Sequence, residues 1–356
     1  MPDGPQPIAQ PTLAQPAGPA QLPTAQPAAA PTPVKTFTPP MDGEAITSIA
    51  SNITYTMGAQ IGEGHFGIVF ACTDEWNNEL AAKVLKPNAP YEELLKAATE
   101  EMQKLYLVRH PFVTYVYDAF EYRDTFYIIT ERCHFPLEAF FREEWFSGPV
   151  WVLPVAHCLL QAVDLIHRAG LVHQDIHFGN VFTTAAKNEM FPEEPGATQF
   201  KLGDLGVAKL ISEVGAAQTR GWMLPPELID PATYGQADHR IDIYHTGLLL
   251  LQLALNKQLH FTREEIAAGK PRELALTLAP PLSIALEKAL RRRVHLRTQD
   301  AKELWRDLNS PAPKFEAATS TPQPAEAVSG SRPASPNVHF EAPQPATPAE
   351  PDSEHE

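Results

Sequence analysis

The sequence predicts an α+β protein of two lobes, a small five-stranded antiparallel lobe with one helix followed by a larger, mainly helical lobe. Over residues 54–132, β-branched and aromatic runs alternate with turn residues around one stretch of helical spacing. Over residues 133–309, apolar residues recur at three- and four-residue intervals through several segments. A cleft between two such lobes is a usual place for a ligand.

The two ends of the chain have a different composition from the middle. Residues 1–53 are rich in Pro, Ala, Gln and Thr, and residues 310–356 repeat this pattern with added acidic residues. Neither end has enough apolar surface to offset the entropy of ordering it, so we expect both to be disordered. Their P-x-x-P spacings offer weak adaptor-binding sites, although bare linker is the simpler interpretation.

Charge and cysteine content exclude several classes of function. The formal net charge of −15 disfavours nucleic acid and anionic membranes as partners. The three cysteines form no C-x-x-C pair, and the first residues have no signal-peptide pattern, so we expect a reducing, cytoplasmic location. The apolar run at 246–255 is too short to span a bilayer. The thirteen histidines are scattered without zinc-ligand spacing.

In the small lobe, the pattern predicts strand, glycine turn and strand over 55–70, then a strand over 79–85. Helical spacing follows over 90–108, and a hairpin is predicted from strands at 111–121 and 125–131. In the large lobe, short strands are predicted at 181–183 and 200–202. The predicted helices of this lobe cover residues 137–145, 150–169, 241–256, 263–268, 274–278, 282–292 and 300–308.

A glycine motif, G-x-G-x-x-G-x-V, runs from Gly62 through Gly64 and Gly67 to Val69. By itself it also fits dinucleotide-binding folds, in which the glycines open a helix. Here β-branched residues continue after the glycines, so they form the tip of a hairpin. Such a tip can be ordinary structure, or its backbone can approach phosphates closely because glycine has no Cβ.

Lys83 stands alone in an apolar strand, where a lysine either reaches the surface or pairs in a cleft. Its position on the strand after the glycine hairpin would let it reach phosphates. Glu100 and Glu101, on the predicted helix that follows, are both candidate counter-ions. We prefer Glu101, because Leu105 lies one turn beyond it on the same face.

A second motif, H-x-D-x-x-x-x-N, places Asp175 five residues before Asn180 between apolar runs. The aspartate can accept the proton of a hydroxyl nucleophile, while the asparagine amide oxygen holds a divalent metal against a phosphate chain. Short motifs match by chance, so this one is informative only if the chain also contains the other parts of a phosphoryl-transfer site in the right order.

Together, these motifs and their order resemble the protein kinases. The resemblance covers residues 54–309, with the small lobe at 54–132 and the large lobe at 133–309. Further similar elements are Gly203-Asp204-Leu205-Gly206, Pro225-Pro226-Glu227, the helix start at Asp242, and Arg297. The last is similar to the arginine that pairs with the glutamate of the A-P-E element.

The resemblance implies ATP and Mg²⁺ as cofactors and a protein as phosphate acceptor. It implies that Asp175 is the catalytic base, that Lys83 grips phosphates and pairs with Glu101, and that Asn180 and Asp204 hold magnesium. Thr130 falls at the gatekeeper position between strand and hinge. The implied nucleotide-binding residues are Ile61, Gly62, Gly64, Gly67, Val69, Ala81, Lys83, Thr130, Glu131, Cys133 and Phe182.

Two residues of the second motif depart from the family pattern. Gln174 replaces the arginine that binds a phosphorylated activation loop, so we expect activity without such phosphorylation. His177 replaces the usual lysine, which makes the segment also similar to haspin-like, aminoglycoside and choline kinases. A histidine there can still donate to the γ-phosphate, but it changes charge near neutral pH, so we expect a pH-sensitive rate.

Two further departures lie after this motif. Thr219 is the candidate to brace the catalytic aspartate, but it comes one residue too early, with Leu224 as the apparent insertion. The segment 185–198 is polar and longer than in the family, which predicts a surface loop. Trp222 also weakens the preference for Ser and Thr over Tyr as acceptors.

Three functions therefore remain open. The first is an active Ser/Thr protein kinase, which the full set Lys83, Asp175, Asn180 and Asp204 favours. The second is a pseudokinase scaffold, which has no need of that set. The third is a small-molecule kinase of related fold, which generally lacks the A-P-E-like element and its partner arginine.

Overall fold

The computed structural model describes residues 38–64, 67–86, 108–186, 197–205, 209–210 and 223–311, with the single positions 96, 99, 104, 107 and 214. Residues 1–37, most of the helix predicted over 90–108, and the tail from residue 312 lie outside the described residues, as do the proline motifs of both ends. The described residues form a sheet-rich lobe and a helical lobe, each with its own apolar core. The predicted α+β, two-lobed class is confirmed.

The small lobe is one antiparallel sheet in the order β1-β2-β3-β4-β6-β5. Its strands are β1 (Ala45–Thr47), β2 (Thr54–Glu63), β3 (Gly67–Thr73), β4 (Glu79–Leu85), β5 (Val116–Tyr122) and β6 (Thr125–Glu131). Large side chains from alternate positions of these strands form the core between them, among them Tyr55, Met57 and Tyr127.

The sheet has six strands where the sequence predicted five, because β1 lies inside the segment predicted to be disordered up to residue 53. The strand is three residues long and buries a single apolar side chain, Ile46, which is too little for a periodic signal. Polar contacts hold the segment that follows it, since the Ser51 hydroxyl donates to the buried Asp118 carboxylate at 2.5 Å. The ordered part of the chain therefore begins before the predicted boundary.

The fifth strand also begins later than predicted. Residues 112–114 lie instead against the edge of the large lobe. Thr114 N donates to Leu202 O at 2.9 Å, and Leu202 N donates to Phe112 O at 2.9 Å.

The large lobe surrounds two long helices, which were predicted as 150–169 and 241–256. Its helices are α1 (Leu137–Phe140), α2 (Gly148–Arg168), α3 (Pro226–Ile229), α4 (Pro231–Tyr234), α5 (Arg240–Ala254), α6 (Arg263–Ala268), α7 (Lys270–Ala275), α8 (Leu282–Ala289) and α9 (Ala301–Leu308). α7 starts earlier than predicted because Gly269, at φ +93°, ends α6 and Pro271 opens the next helix.

By length and composition α2 alone, among the described helices, could cross a membrane. Half of it is buried, and it packs against α5 and α9, so it is the central helix of this lobe.

Short strands frame the segment between the two long helices. They are β7 (Leu171–Val172), β8 (Val181–Ala186), β9 (Ala197–Leu202) and β10 (Lys209–Leu210), where β7 pairs with β10 and β8 with β9. The β8–β9 hairpin extends to residues 186 and 197, so the predicted surface loop at 185–198 is shorter than expected at both ends. Residues 187–196 lie outside the described residues.

Candidate active site

The loop of residues 173–180 connects β7 to β8 and is held from below by Asp242, near the start of α5. Asp242 is fully buried. Its carboxylate accepts hydrogen bonds of 2.8 Å from the backbone nitrogens of His173 and Gln174 and from Nε2 of His167. Burial raises the pKa of this carboxyl, but His167 and His173 outweigh it and hold the pKa below its usual value. An ionised Asp242 thus fixes the start of the loop.

Asp175 and Asn180, predicted as base and metal ligand, meet inside this loop. Asn180 Nδ2 donates to Asp175 O at 2.8 Å and to Asp175 Oδ2 at 3.3 Å. Burial works to raise the pKa of Asp175, but the neighbouring His177, with His173 and His245 nearby, lowers it overall. Asp175 is therefore ionised at neutral pH, as a proton acceptor must be.

His177 stands beside this carboxylate, with Nε2 at 3.6 Å from Asp175 Oδ2. Its other ring nitrogen, Nδ1, accepts a hydrogen bond from Gly179 N at 3.0 Å. A ring nitrogen that accepts carries no proton, so the proton of the neutral ring sits on Nε2. The loop therefore presents His177 as a hydrogen-bond donor towards Asp175.

His173 connects the loop to the segment after β9, which carries Asp204. His173 Nε2 lies 3.0 Å from Gly203 O, and Gly203 N donates to Asn180 O at 2.9 Å. A Cβ at Gly203 would lie 2.7 Å from the Phe182 ring, so any other residue there would force the neighbouring side chains to shift. Asp204 follows with φ +57°, a left-handed conformation that is uncommon for a residue with a side chain.

Lys83 of β4 meets Asp204 across the cleft. Lys83 Nζ lies 3.0 Å from Asp204 Oδ1, and both side chains are partly exposed. The structure thus brings the predicted lysine and the predicted metal ligand together. Glu101, the predicted partner of Lys83, lies outside the described residues.

The three glycines of the hairpin differ in whether the fold leaves space for a side chain. A Cβ on Gly67 would lie 2.6 Å from Val84 O, so packing against β4 requires this glycine. A Cβ on Gly62 or Gly64 would meet nothing closer than 3.7 Å or 4.0 Å, respectively. Since packing does not explain these two glycines, the open space beside them suits a ligand that approaches the backbone, as phosphates do. Residues 65 and 66 lie outside the described residues.

A tether that the sequence did not predict holds the hairpin tip. Lys86 Nζ donates to Glu63 Oε1 at 2.5 Å and to Gly64 O at 3.1 Å. Because Lys86 lies three residues after Lys83, the same stretch of chain carries both the contact to the tip and the lysine predicted to bind phosphates.

The predicted adenine-binding residues line one side of the sheet and the cleft floor. Val69 pairs with Lys83 across the strands, and Ala81 lies two residues from Lys83, so these three side chains share a face. Thr130 pairs with Ala81, and its hydroxyl donates to Ala81 O at 3.4 Å. Ile61, by contrast, is half exposed on β2.

Below this face, Phe182 of β8 bridges to Pro136. Glu131 ends β6 and Cys133 follows it, at the crossing from one lobe to the other. Burial raises the pKa of the Cys133 thiol to about 12, so this cysteine is a neutral, packed side chain.

The donor set suits magnesium more than a transition metal. Within the described part of the chain, no three His, Cys, Asp or Glu side chains cluster as metal ligands do. Asn180 and Asp204 supply one amide and one carboxylate, and Mg²⁺ is commonly bound by one or two carboxylates with phosphate and water completing its shell. The two residues fit that group.

A buried ion pair supports the floor of the helical lobe. Arg297 Nη1 and Nη2 lie 2.6 and 2.7 Å from the two carboxylate oxygens of Glu227, and both side chains are fully buried. This is the pairing that the sequence predicted. Thr219 and Trp222, on the same stretch before Glu227, lie outside the described residues.

The sequence analysis identified the residues predicted to react but missed most of those that hold them in place. His167, His173 and Lys86 make the contacts that orient the site, and Asp242 was identified only as a helix start. Their signal is weak, because a supporting contact depends on which distant segments meet.

Comparison with known proteins adds to this geometry. The family model of the protein kinase domain matches residues 55–314. The chain is 26% identical over 214 residues to serine/threonine-protein kinase TAO2 of Xenopus laevis, which is 59% of this chain and 20% of that protein.

Two other relatives match a similar share of this chain. Cyclin-dependent kinase D-1 of Arabidopsis thaliana is 26% identical over 203 residues, 55% of this chain and 48% of its own length. Zyg-1 of Caenorhabditis briggsae, named a probable serine/threonine-protein kinase, is 30% identical over 196 residues, 54% of this chain and 25% of its own length. The chain thus spans less than half the length of each of these relatives.

Proposed function

The chain belongs to the protein kinase domain family, and we propose that it transfers the γ-phosphoryl group of Mg-ATP to serine or threonine hydroxyls of a protein substrate. The observation that carries this proposal is one connected cleft. In it, Lys83 contacts Asp204 and Asn180 contacts Asp175. A backbone hydrogen bond from Gly203 to Asn180 connects these two pairs. A non-catalytic scaffold has no use for this arrangement.

In this proposal, Asp175 accepts the proton of the acceptor hydroxyl, since its lowered pKa keeps it ionised. Asn180 and Asp204 would hold Mg²⁺, which when bound would bridge phosphate oxygens and offset the charge that develops on them. Lys83 reaches into the same space to grip phosphates, and Gly62 and Gly64 leave room for them above. His177 donates from Nε2 at the edge of the reacting centre.

Gln174 supports activity that is independent of activation-loop phosphorylation. The side chain is uncharged and buried, and its backbone nitrogen is already held by Asp242. This position therefore offers no cation to a phosphorylated residue.

A small-molecule kinase is the second candidate, because His177 gives the loop its similarity to aminoglycoside and choline kinases. The buried Glu227–Arg297 pair favours a protein acceptor, since kinases of that kind generally lack the pair. We also propose a cytoplasmic location, because all three cysteines are free thiols.

The test is incubation with labelled ATP, Mg²⁺ and a generic protein acceptor, beside Asp175→Asn and Asp300→Asn. Removing the base should lower the rate by about 10²- to 10⁴-fold. Asp300→Asn is the control, because Asp300 caps α9 and asparagine caps equally well. Label that persists in Asp175→Asn would refute the role of Asp175, and absence of label with the parent chain would favour the scaffold.

Acceptor class is tested in the same assay with different substrates. Degenerate peptides with Ser, Thr or Tyr as the single acceptor distinguish the protein specificities, and choline and an aminoglycoside test the second candidate. Transfer to Ser and Thr peptides is expected. Transfer to the small molecules alone would replace the first proposal with the second.

A further inference from the structure

A half-buried ion pair joins the two lobes beside the cleft. Lys201 of β9 lies with Nζ 2.8 and 2.7 Å from the two carboxylate oxygens of Glu131, the last residue of β6. The two side chains are 12% and 18% exposed. A pair shielded from water to this extent is screened less than a surface pair, and it leaves an uncompensated charge if one partner is removed.

The carboxylate of this pair is held on its other side as well. Tyr115 N donates to Glu131 Oε1 at 2.7 Å, and Glu131 N donates to Tyr115 O at 2.9 Å. Glu131 therefore has its backbone and its side chain fixed to the segment that leads into β5. It offers Lys201 a rigid partner, so the pair can transmit position from one lobe to the other.

Lys201 occupies a matching place on the large-lobe side. It pairs in register with Phe182 on β8, the predicted floor of the adenine pocket, and lies three residues before Asp204. The next residue, Leu202, is bonded through its backbone to Phe112 and Thr114. The ammonium thus sits where the crossing strand, the β8–β9 hairpin and the 112–115 segment meet.

We propose that Lys201 is a positioning residue for nucleotide binding. Through Glu131, Lys201 fixes the distance between the hinge backbone and the segment after β9. The hinge backbone would contact the adenine, and Asp204 in that segment would hold the metal on the phosphates. Lys201 touches neither the nucleotide nor the acceptor hydroxyl in this scheme. Its loss should weaken ATP binding while leaving the transfer step largely intact.

The inference rests on the proposed function, and the first measurement separates the two. Titration of the full chain with Mg-ATP by calorimetry gives the parent Kd. No binding by the parent would refute the proposed function. Binding by the parent with the same Kd in Lys201→Met would overturn the ion-pair inference alone.

Lys201→Met keeps the length of the side chain and removes its charge. We expect the Kd and the KM for ATP to rise about tenfold, because the Glu131 carboxylate is left unpaired. We expect kcat at saturating ATP to change by less than about threefold, since Asp175 and its supports are untouched. Lys201→Arg restores the charge and should restore the Kd to near the parent value.

A double-mutant cycle and a matched control exclude a general loss of stability. In Glu131→Gln with Lys201→Met, the Kd should be no higher than in Lys201→Met alone, because the two residues act as one unit. Lys288→Met removes a comparable pair with Asp307, at 3.1 Å to both oxygens and far from the cleft. The control should keep the parent Kd.

Three outcomes would overturn the inference. The first is losses that add in the double variant. The second is a fall in kcat with an unchanged KM for ATP. The third is an equal rise in Kd in Lys201→Met and Lys288→Met, which would indicate that lost stability, and not lost position, weakens binding.

Discussion

The 173–180 loop and the glycine hairpin face the same cleft, but they are held in opposite ways. The loop is anchored by the fully buried Asp242 through two backbone hydrogen bonds of 2.8 Å, and His167 of α2 holds the same carboxylate at 2.8 Å. The hairpin tip is anchored by Lys86 and Glu63, an ion pair whose carboxylate is more than half exposed. Exposed pairs of this kind add little stability, whereas a buried charge that loses its partners is costly.

The difference indicates a division of labour. The loop is arranged before any ligand arrives, and preorganised groups act on the reaction step itself. The hairpin can adjust around a bound ligand, as cleft-covering segments commonly do. Substitutions of the residues that hold the loop, such as Asp242, should therefore alter kcat and stability together. Substitutions in the hairpin should alter the KM for ATP.

The largest effect is expected from Asp242→Asn. The asparagine amide can supply only one acceptor oxygen, and its NH₂ would face groups that donate, so the free energy of unfolding should fall by about 3 kcal/mol or more. kcat should fall as well, because the backbone of His173 and Gln174 loses its support. Urea unfolding and steady-state kinetics measure both, with Asp300→Asn as the control.

The pH dependence of this difference has a definite sign. Because the pKa of Asp242 is lowered in the folded chain, its contribution to stability is complete above the unfolded value of about 4 and is lost as pH falls through the folded value. The gap in unfolding free energy between parent and Asp242→Asn should therefore narrow below about pH 4. A gap that stays constant down to pH 2 would contradict an ionised Asp242.

The next effect separates two glycines of one motif. Gly67→Ala places a Cβ 2.6 Å from Val84 O, so the strands must shift, at a cost of about 1–3 kcal/mol. Gly62→Ala meets no atom closer than 3.7 Å, so stability should be unchanged while the KM for ATP rises several-fold. Thermal unfolding and kinetics of both variants are the measurements. A Gly62→Ala variant with lower stability and an unchanged KM would reverse the assignment.

These two glycines also show which features of the site could be predicted from the sequence. Motif spacing predicted which residues enter the cleft, because Lys83, Asp175, Asn180 and Asp204 carry chemistry that few other residues supply. Motif spacing treated Gly62 and Gly67 alike. Whether a Cβ fits at each position depends on which strand lies beside it, and the local sequence does not specify that neighbour.

The same limit explains what was missed in the fold. Periodicity found α2, since buried positions recur along it, and an unbroken apolar run found α5, which is buried on all sides from Ile241 to Leu253. It missed β1, whose one buried side chain, Ile46, repeats nothing. The contacts of Asp242 with residues 173 and 174 join positions distant in the chain, and local pattern carries no information about such pairs.

The smallest effect is expected from Glu63→Gln, which removes the charge that Lys86 holds. The ion pair lowers the pKa of Glu63, so the carboxylate is charged under assay conditions. Because more than half of this side chain is exposed, the melting temperature should not change measurably. The KM for ATP should change about twofold, because the hairpin tip loses one of its two contacts with Lys86. Since salt screens exposed charges, the KM values of the parent and the variant should converge as ionic strength rises.

The control is Glu265→Gln, which breaks the exposed pair with Lys270 far from the cleft and should leave the KM for ATP unchanged. If Glu63→Gln instead lowered kcat as strongly as Asp242→Asn, the hairpin would be as preorganised as the loop, and the division of labour would not hold.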